Sequence, residues 1–525
     1  MNKGFLSKEG EGPMNNSLKE KKSVLDWIEY GGNKLPHPVT IFLIFTLLVV
    51  IISHIAYLFG VNVTYTGMNP DTGKREELTV EVMSLLTTDG IRFIFTGVVE
   101  HFTTFVALGP VLVAMLGVGV AEKSGYISAL MTNVVTKAPK KFVTPIVVFM
   151  GVMSNVAASV GYVVLVPLGA IIFLGFRRHP LAGLAAAFAG VAGGYSANLL
   201  IGTNDPLLAG ITTEAAAILD TTYIVDATDN WYFMLASTFL IVILGTLITD
   251  KVIEPRLGKY DFSKSDIQPD EEINKVEKRA LRWSNVSAII TVLLVLALVA
   301  FPTSPLRGDD GGIIGSPFIS SIIFIMMLVF LVPGLVYGVM TKEIKNDKDA
   351  VKLMDSSIET MAGFIVLIFF AAQFVALFTY SNLGTVIAVN GANLLEKLDI
   401  GVVPILVIFI LLSALIDIVI AADSAKWAIM APIFVPMFMQ LGISPEVSQA
   451  AYRIGDSTTN VVSPLMPFFP LIVAFSQRYG RENGIGTVVS LMLPYSIVFL
   501  ISWTILFVIW YLFGIPFGPG ASNTY

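Results

Sequence analysis

The sequence predicts an all-α integral membrane protein: about nine transmembrane helices plus two opposed re-entrant hairpins, arranged as an inverted-topology repeat. Three observations predict it. Of the 525 residues, 55% are hydrophobic and only 14% are charged, too little polar surface for a soluble chain of this length. Apolar stretches of roughly 20 residues, enough to span ~30 Å of hydrocarbon, recur along the chain. One pattern also appears twice, about half the chain apart. Ser159-x-x-Tyr162 with Pro167 is matched by Ser424-x-x-Trp427 with Pro432, and each is followed by an Asn-bearing interruption, 193–198 and 455–460. Corresponding broken segments in two halves of a membrane protein are the best sequence pointer to a transporter's binding site.

The elements follow in order. Residues 1–38 form a hydrophilic segment, with Lys19, Lys21 and Lys22 placing it in the cytoplasm. The run 39–60 is too long for a signal-peptide core and lacks a small-residue cleavage site, so it is expected to remain as the first helix. Residues 61–90 form a polar external loop with a turn at Asn69-Pro70-Asp71-Thr72-Gly73. Further spans are expected at 103–121, 181–201, 232–249, 284–302, 317–340, 361–380, 447–475 and 487–513. Lys137, Lys140 and Lys141 precede the segment 142–176 and Arg177 and Arg178 follow it, so both ends lie in the cytoplasm and the segment is a hairpin. The loop with Glu214, Asp220, Asp226 and Asp229 is external. The charged stretch 251–283 is a cytoplasmic linker between a first half, 39–250, and a second half, 284–525. Lys342, Lys345, Lys348 and Lys352 mark another cytoplasmic turn. The second hairpin, 401–440, therefore opens outward, Arg478 and Arg481 return inside, and the C-terminus is external. Two short full spans in place of either hairpin are the alternative that hydropathy leaves open.

Several classes are disfavoured. Without cysteine there is neither a disulfide nor a thiolate metal site. A net charge of -6 speaks against a nucleic-acid partner, and the four histidines lack metal-ligand spacing. No Gly-rich loop ending in Gly-Lys-Ser/Thr supports an ATP-driven pump. With no nucleophile-base pair or metal motif, an enzyme is not expected, nor any cofactor beyond a coupling ion.

An ionisable side chain at membrane depth costs at least ~2.5 kcal/mol, so each one is a functional candidate. Those here are Asp205, Asp417, Asp423, Lys426, Arg453 and Asp456, all in or beside the repeated elements. Arg453 and Asp456 share a helix face at i, i+3 and are expected to pair, or to serve as anion site and coupling carboxylate. Asp423 and Lys426 repeat that spacing. Either they neutralise each other, or Lys426 meets an anionic substrate. Asp456-Ser457-Thr458-Thr459-Asn460 offers hard oxygens for Na⁺ or a proton relay, with Asn155 and Asn198 the amide candidates in the first half. A Na⁺ site is accordingly expected at Asn155, Asn460 and Asp456. Asp205, before Pro206, is a coupling carboxylate or the N-cap of the next helix. Tyr162 and Trp427 follow the two hairpin tips and together would clamp an aromatic ring, although either alone is more often packing. Pro445 and Pro464 mark helix ends or kinks.

The run Ser424-Ala425-Lys426-Trp427-Ala428-Ile429-Met430-Ala431-Pro432, with Ala451-Tyr452-Arg453-Ile454-Gly455-Asp456-Ser457-Thr458-Thr459-Asn460-Val461-Val462-Ser463-Pro464, resembles the p-aminobenzoyl-glutamate transporter family (AbgT). Gly193-Gly194-Tyr195-Ser196-Ala197-Asn198, continuing through Gly202-Thr203-Asn204-Asp205-Pro206, is similar to the same family. The resemblance implies a homodimeric inner-membrane carrier of nine spans and two opposed hairpins. Its implied cargo is p-aminobenzoyl-glutamate-type folate-related aromatic acids, or sulfonamide antimetabolites for export, driven by a proton or sodium gradient. The positions it carries over are Asp205, Ser424, Trp427, Pro445, Arg453, Asp456, Asn460 and Pro464. Asp417 and Asp423 depart from the family pattern, which expects Asn and a small residue there, and so add two carboxylates near the site. A sodium-coupled dicarboxylate symporter is the alternative, since opposed hairpins belong to that wider architecture too.

Overall fold

The computed structural model describes residues 36, 38–68, 75–157, 161–261, 274–313, 316–420, 422–481 and 483–525. Nearly all of the N-terminal segment, the Asn69–Gly73 turn, Ser159 of the expected first hairpin tip and much of the charged linker lie outside them.

Helix α1 (Pro38–Leu58) carries an apolar face with Leu47 and Leu58 exposed, which suits contact with lipid tails. The polar loop that follows is not irregular. It forms β1 (Asn62–Met68) and β2 (Arg75–Glu81), paired antiparallel with Asn62 opposite Glu81, a correction to the all-α expectation. The cause is a two-residue alternation: Val63 and Val80 face inward, while Thr64 and Thr79 stay exposed and hydrogen-bond each other at 2.8 Å.

Next come α2 (Thr88–Thr103), capped by the Thr87 side chain, α3 (Leu108–Lys123) and α4 (Tyr126–Thr136). The apolar stretch expected from residue 103 thus begins fifteen residues earlier and breaks at 104–107. The first interrupted region comprises α5 (Val143–Met153), a 3₁₀ turn at Ser154–Ala157, a π-turn at Gly161–Leu165, α6 (Val166–Gly175), α7 (Pro180–Phe188) with a π-turn at Ala189–Gly193, and α8 (Asn204–Ala216). At 1.5 Å per residue, α5 is about 16 Å long, roughly half a membrane.

The chain continues through α9 (Trp231–Ile248), α10 (Glu254–Leu257), α11 (Lys275–Ala297), α12 (Pro317–Ser320), α13 (Ile322–Thr341), α14 (Asp347–Glu359), α15 (Ala362–Tyr380) and α16 (Leu383–Lys397). The second interrupted region is α17 (Val402–Asp417), α18 (Asp423–Gln440), α19 (Pro445–Asn460) and α20 (Phe469–Gln477), and α21 (Ile485–Leu512) ends the helical part. Among the described residues, seven helical stretches are long and apolar enough to cross a membrane, including 88–123 taken through its break.

Two expected continuous spans are broken. The stretch 181–201 stops being helical after Gly193, and 447–475 is interrupted between Asn460 and Phe469. Paired glycines open the first break. Pro464, Pro467 and Pro470 withhold amide donors at the second.

Close backbone approach brings the broken helices together. A Cβ on Gly455 would lie 2.5 Å from the Ile410 carbonyl oxygen, and one on Gly190 2.3 Å from that of Val148. Only hydrogen fits at these crossings. Every residue of α19 is buried, including Glu446, Gln449, Arg453 and Asp456, so each polar group on it must find its partner inside the protein.

Candidate functional site

The polar side chains of α19 converge on the ends of α8, α17 and α18. Arg453 Nη2 lies 2.8 Å from Asp205 Oδ1, with both side chains 3% exposed. Asp205 is the second residue of α8, and its Oδ2 accepts from the Gly202 N–H at 2.6 Å. It therefore bonds back across the break and holds the arginine at once. Arg453 keeps donors in reserve: Nη1 faces only Met234 Sδ at 3.6 Å, and Nε has no partner among the described residues.

One turn further along α19, Asp456 Oδ1 lies 2.8 Å from Lys426 Nζ, and Asp417 Oδ1 lies 2.6 Å from the same nitrogen. The ammonium and both carboxylates are buried at 1% exposure or less. Thr459 Oγ1 donates to Asp417 Oδ2 at 2.9 Å. These distances are those of charge-assisted hydrogen bonds. Asp417 closes α17, Lys426 lies in the first turn of α18 and Asp456 sits within α19, so one cation ties three helices.

The i, i+3 pairs expected from spacing do not form. Arg453 turns to Asp205, not Asp456, and Lys426 turns to Asp417 and Asp456, not Asp423. A same-helix surface pair gains only about 0.5 kcal/mol. Leaving a buried charge unpaired on a neighbouring helix costs several. Asp423 instead accepts from the Tyr195 hydroxyl at 3.0 Å and from the Ser424 N–H. Lys426, enclosed by carboxylates, does not face an anionic substrate in this conformation.

The aromatic residues are similarly enclosed. Trp427 stacks on Tyr452 with ring centroids 4.4 Å apart, and Tyr162 stacks on Phe468 at 4.5 Å. The two do not face one another as a clamp. Trp427 Nε1 donates to Thr212 Oγ1 at 2.9 Å, and Thr212 donates to the Leu208 carbonyl at 2.7 Å. Gln449 completes the set, with its NH₂ toward Thr212 Oγ1 at 2.6 Å and its oxygen toward Arg453 Nη2 at 3.3 Å. That orientation gives the Gln449 amide a donor toward Thr212 and an acceptor toward Arg453. It links the Trp427 ring to the Arg453–Asp205 pair.

In the first region, Asn155 Nδ2 donates to the Gly194 carbonyl and Asn198 Nδ2 to that of Val152, each at 3.3 Å. Asn198 Oδ1 accepts from the Leu200 N–H at 3.1 Å. Asn155 Oδ1 is buried without a partner among the described residues. The Ser196 N–H donates to Ser457 Oγ at 3.0 Å, joining the two breaks directly. Asn460 is buried at the end of α19, Pro445 is its first residue and Pro464 lies in the gap beyond. The structure thus gathers two bonded sets, Asp205, Arg453 and Trp427 through Gln449 and Thr212, and Asp417, Lys426 and Asp456 with Asp423 reached through the Tyr452 hydroxyl, and the Trp427–Tyr452 stack joins them. Tyr162 stands apart on Phe468.

Thr212, Gln449 and Tyr195 were missed as contributors. Gln449, Tyr452, Arg453, Asp456 and Asn460 form a polar stripe at three- and four-residue intervals, a signal that reaches Gln449. Nothing comparable marks Thr212, the first of two adjacent threonines after the apolar run Pro206–Ile211.

Four carboxylates and two fixed cations at the meeting of broken helices form an arrangement for moving charged solutes. Comparison with known proteins agrees. The sequence model of the AbgT transporter family matches residues 23–525. The chain belongs to the AbgT family. It is 38% identical over 508 residues to the p-aminobenzoyl-glutamate transport protein of Escherichia coli strain K12, spanning 96% of this chain and 97% of that one. Two solved AbgT structures match the fold. The YdaH transporter of Alcanivorax borkumensis gives a TM-score of 0.87 at 44% identity, over 92% of this chain and all of that one. MtrF of Neisseria gonorrhoeae, described within a class of antimetabolite efflux pumps, gives 0.88 at 47% identity, over 95% of this chain and all of that one. This chain is therefore a multi-pass membrane transporter of the AbgT family.

Proposed function

We propose that this chain is a secondary active transporter of p-aminobenzoyl-glutamate-type aromatic acids in the cytoplasmic membrane, able to export related antimetabolites and driven by a proton or sodium gradient. The observation that carries the reading is the cluster of buried Asp205, Asp417, Asp456, Lys426 and Arg453 with half-buried Asp423 at its edge, where carboxylates outnumber cations by two. A buried surplus of negative charge requires a mobile cation, which is what ion coupling supplies. Asn155, Asn198 and Asn460 stand beside it as oxygen donors for that cation.

Arg453, with unspent donors, is the group for a substrate carboxylate. Once the core moves, Trp427 and Tyr162 offer ring faces to the aromatic portion, and Ser424 at the start of α18 offers its hydroxyl. The architecture proposed is nine spanning helices with the two interrupted regions as opposed hairpins related by an inverted repeat. The N-terminus is cytoplasmic, the C-terminus external and the assembly a homodimer. Transport follows from displacement of the interrupted core against the long helices.

Flux of labelled p-aminobenzoyl-glutamate in proteoliposomes, with sodium and pH gradients imposed separately, is the test. Stimulation by one gradient is expected. Flux at the wild-type level in both Trp427→Ala and Asp456→Asn would sink the site assignment.

A further inference from the structure

We infer that Lys426 is a tethered cation filling the oxygen cage of the second interrupted region, so that sodium does not bind there. The inference deepens the ion-coupling part of the proposed function, yet its thermal test does not depend on flux. Two carboxylates converge on one point from α17 and α19, at 2.6 and 2.8 Å, and the Thr459 hydroxyl is bonded to one of them. Hard anionic oxygens converging from separate elements are the donor set that a bare metal cation takes. Here the point is held by Nζ of Lys426, whose main-chain N–H bonds to the Ala422 carbonyl at 2.9 Å and fixes the start of α18.

An ammonium on a covalent stem cannot diffuse away, so a sodium ion competing for these oxygens meets an occupant whose local concentration is set by its stem and does not fall on dilution. The first region differs. Its acceptor Asn155 Oδ1 is buried and unpartnered among the described residues, and no ion pair among them involves Asn155's neighbours at the break; Arg453 pairs with Asp205 in α8, and Arg178 pairs away from the break with Asp250 and Glu254. Sodium, where it acts on this protein, then acts outside the Asp417–Asp456 cage, with the Asn155 oxygen of the first break the acceptor open to it. The groups facing the ammonium are Asp417 from α17, Asp456 and the Tyr452 ring from α19, the ring centroid being 5.3 Å from Nζ.

The experiment is thermal unfolding of the purified full-length chain in detergent, in sodium chloride against choline chloride at equal ionic strength, for wild type, Lys426→Ala and Lys426→Ala/Asp417→Asn. The single variant is expected to gain a sodium-dependent rise in Tm of several degrees over the wild-type response, as a newly liganded native state must. Methylammonium should reproduce that gain. The double variant, which removes a carboxylate along with the ammonium, should lose most of it. Equal sodium responses in wild type and Lys426→Ala overturn the inference. So does a Lys426→Ala chain that cannot be purified even in sodium or methylammonium, because a small cation then fails to replace the side chain. Absence of p-aminobenzoyl-glutamate flux would remove the proposed substrate and leave this readout standing.

Discussion

In the first interrupted region the opened backbone is held mainly by neutral groups, Asn155 and Asn198 amides on main-chain carbonyls and the Ser196 N–H on Ser457, with the Asp205 carboxylate on the Gly202 N–H at its far edge. In the second, the same task falls to ions, with Lys426 between Asp417 and Asp456. Both regions use glycine to bring backbones together, Gly190 in one and Gly455 in the other. The packing solution is shared and the polar solution is not. A neutral hydrogen bond contributes about 1 kcal/mol net, whereas breaking a buried ion pair by removing one partner costs about 3–5 kcal/mol. The second region is therefore the rigid, high-stakes half of the core, and the first is the half that tolerates change.

The largest effect should come where the two regions meet, at Asp205 and Arg453. Asp205→Ala strands the buried guanidinium and frees the Gly202 N–H. It is expected to cost about 3–5 kcal/mol of stability and to abolish flux, read by thermal unfolding and by proteoliposome transport. A loss below about 1 kcal/mol would show that water reaches Arg453 and that the boundary between regions is not dry.

Trp427→Phe comes next. It keeps a ring on Tyr452 and deletes the donor to Thr212, so about 1 kcal/mol is expected, with flux reduced but measurable. Trp427→Ala, by contrast, falls in the range of about 3–5 kcal/mol for a buried aromatic. Equal losses in the two variants would mean that the hydrogen bond through Thr212 and Gln449, not the ring, is the important contact.

Much of this contrast was legible in the sequence, for a physical reason. Charged residues are so costly in hydrocarbon that Asp205, Asp417, Asp423, Lys426, Arg453 and Asp456 identify themselves by depth alone. Their partners were not legible. Arg453 and Asp205 are far apart in the chain and no local rule couples them, whereas the misleading i, i+3 spacing is local. Glycine pairs and prolines were readable as breakpoints, but the second break was misplaced: 455–460, expected to open, is helical, and the gap lies between Asn460 and Phe469, inside an expected continuous span. Whether 181–201 continued as one span was not readable, because hydropathy averages over a break of a few residues. The β1–β2 hairpin was hidden by polarity: its alternation runs through threonine and glutamate, which also suit a loop.

Asn155 tests the tolerant half. Asn155→Ala removes one long hydrogen bond to Gly194 and an acceptor that nothing described satisfies, so stability should change by less than about 1 kcal/mol. Flux is nevertheless expected to fall about tenfold if each turnover needs that oxygen, equivalent to about 1.4 kcal/mol in the barrier. Unchanged flux would reduce the first region to scaffold and move coupling wholly to the carboxylates.

The last effect is one of pH, expected at Asp229 in the loop before α9. It combines the two regimes: a buried carboxylate held, like the amides of the first region, by a main-chain donor, the Asp226 N–H at 2.7 Å. Burial pushes its carboxyl up to about 8, and nearby Glu446 and Asp226 push the same way. The folded chain thus holds a proton that the unfolded chain releases near pH ~4. Stability from this group is full below that point and is lost as pH rises toward about 8. Asp229→Asn keeps an acceptor for Asp226 and cannot ionise. Its Tm should match wild type near pH ~4, exceed it by a growing margin up to about 8, and run parallel above. A margin independent of pH would mean that the loop opens to water and that burial does not hold the proton on Asp229.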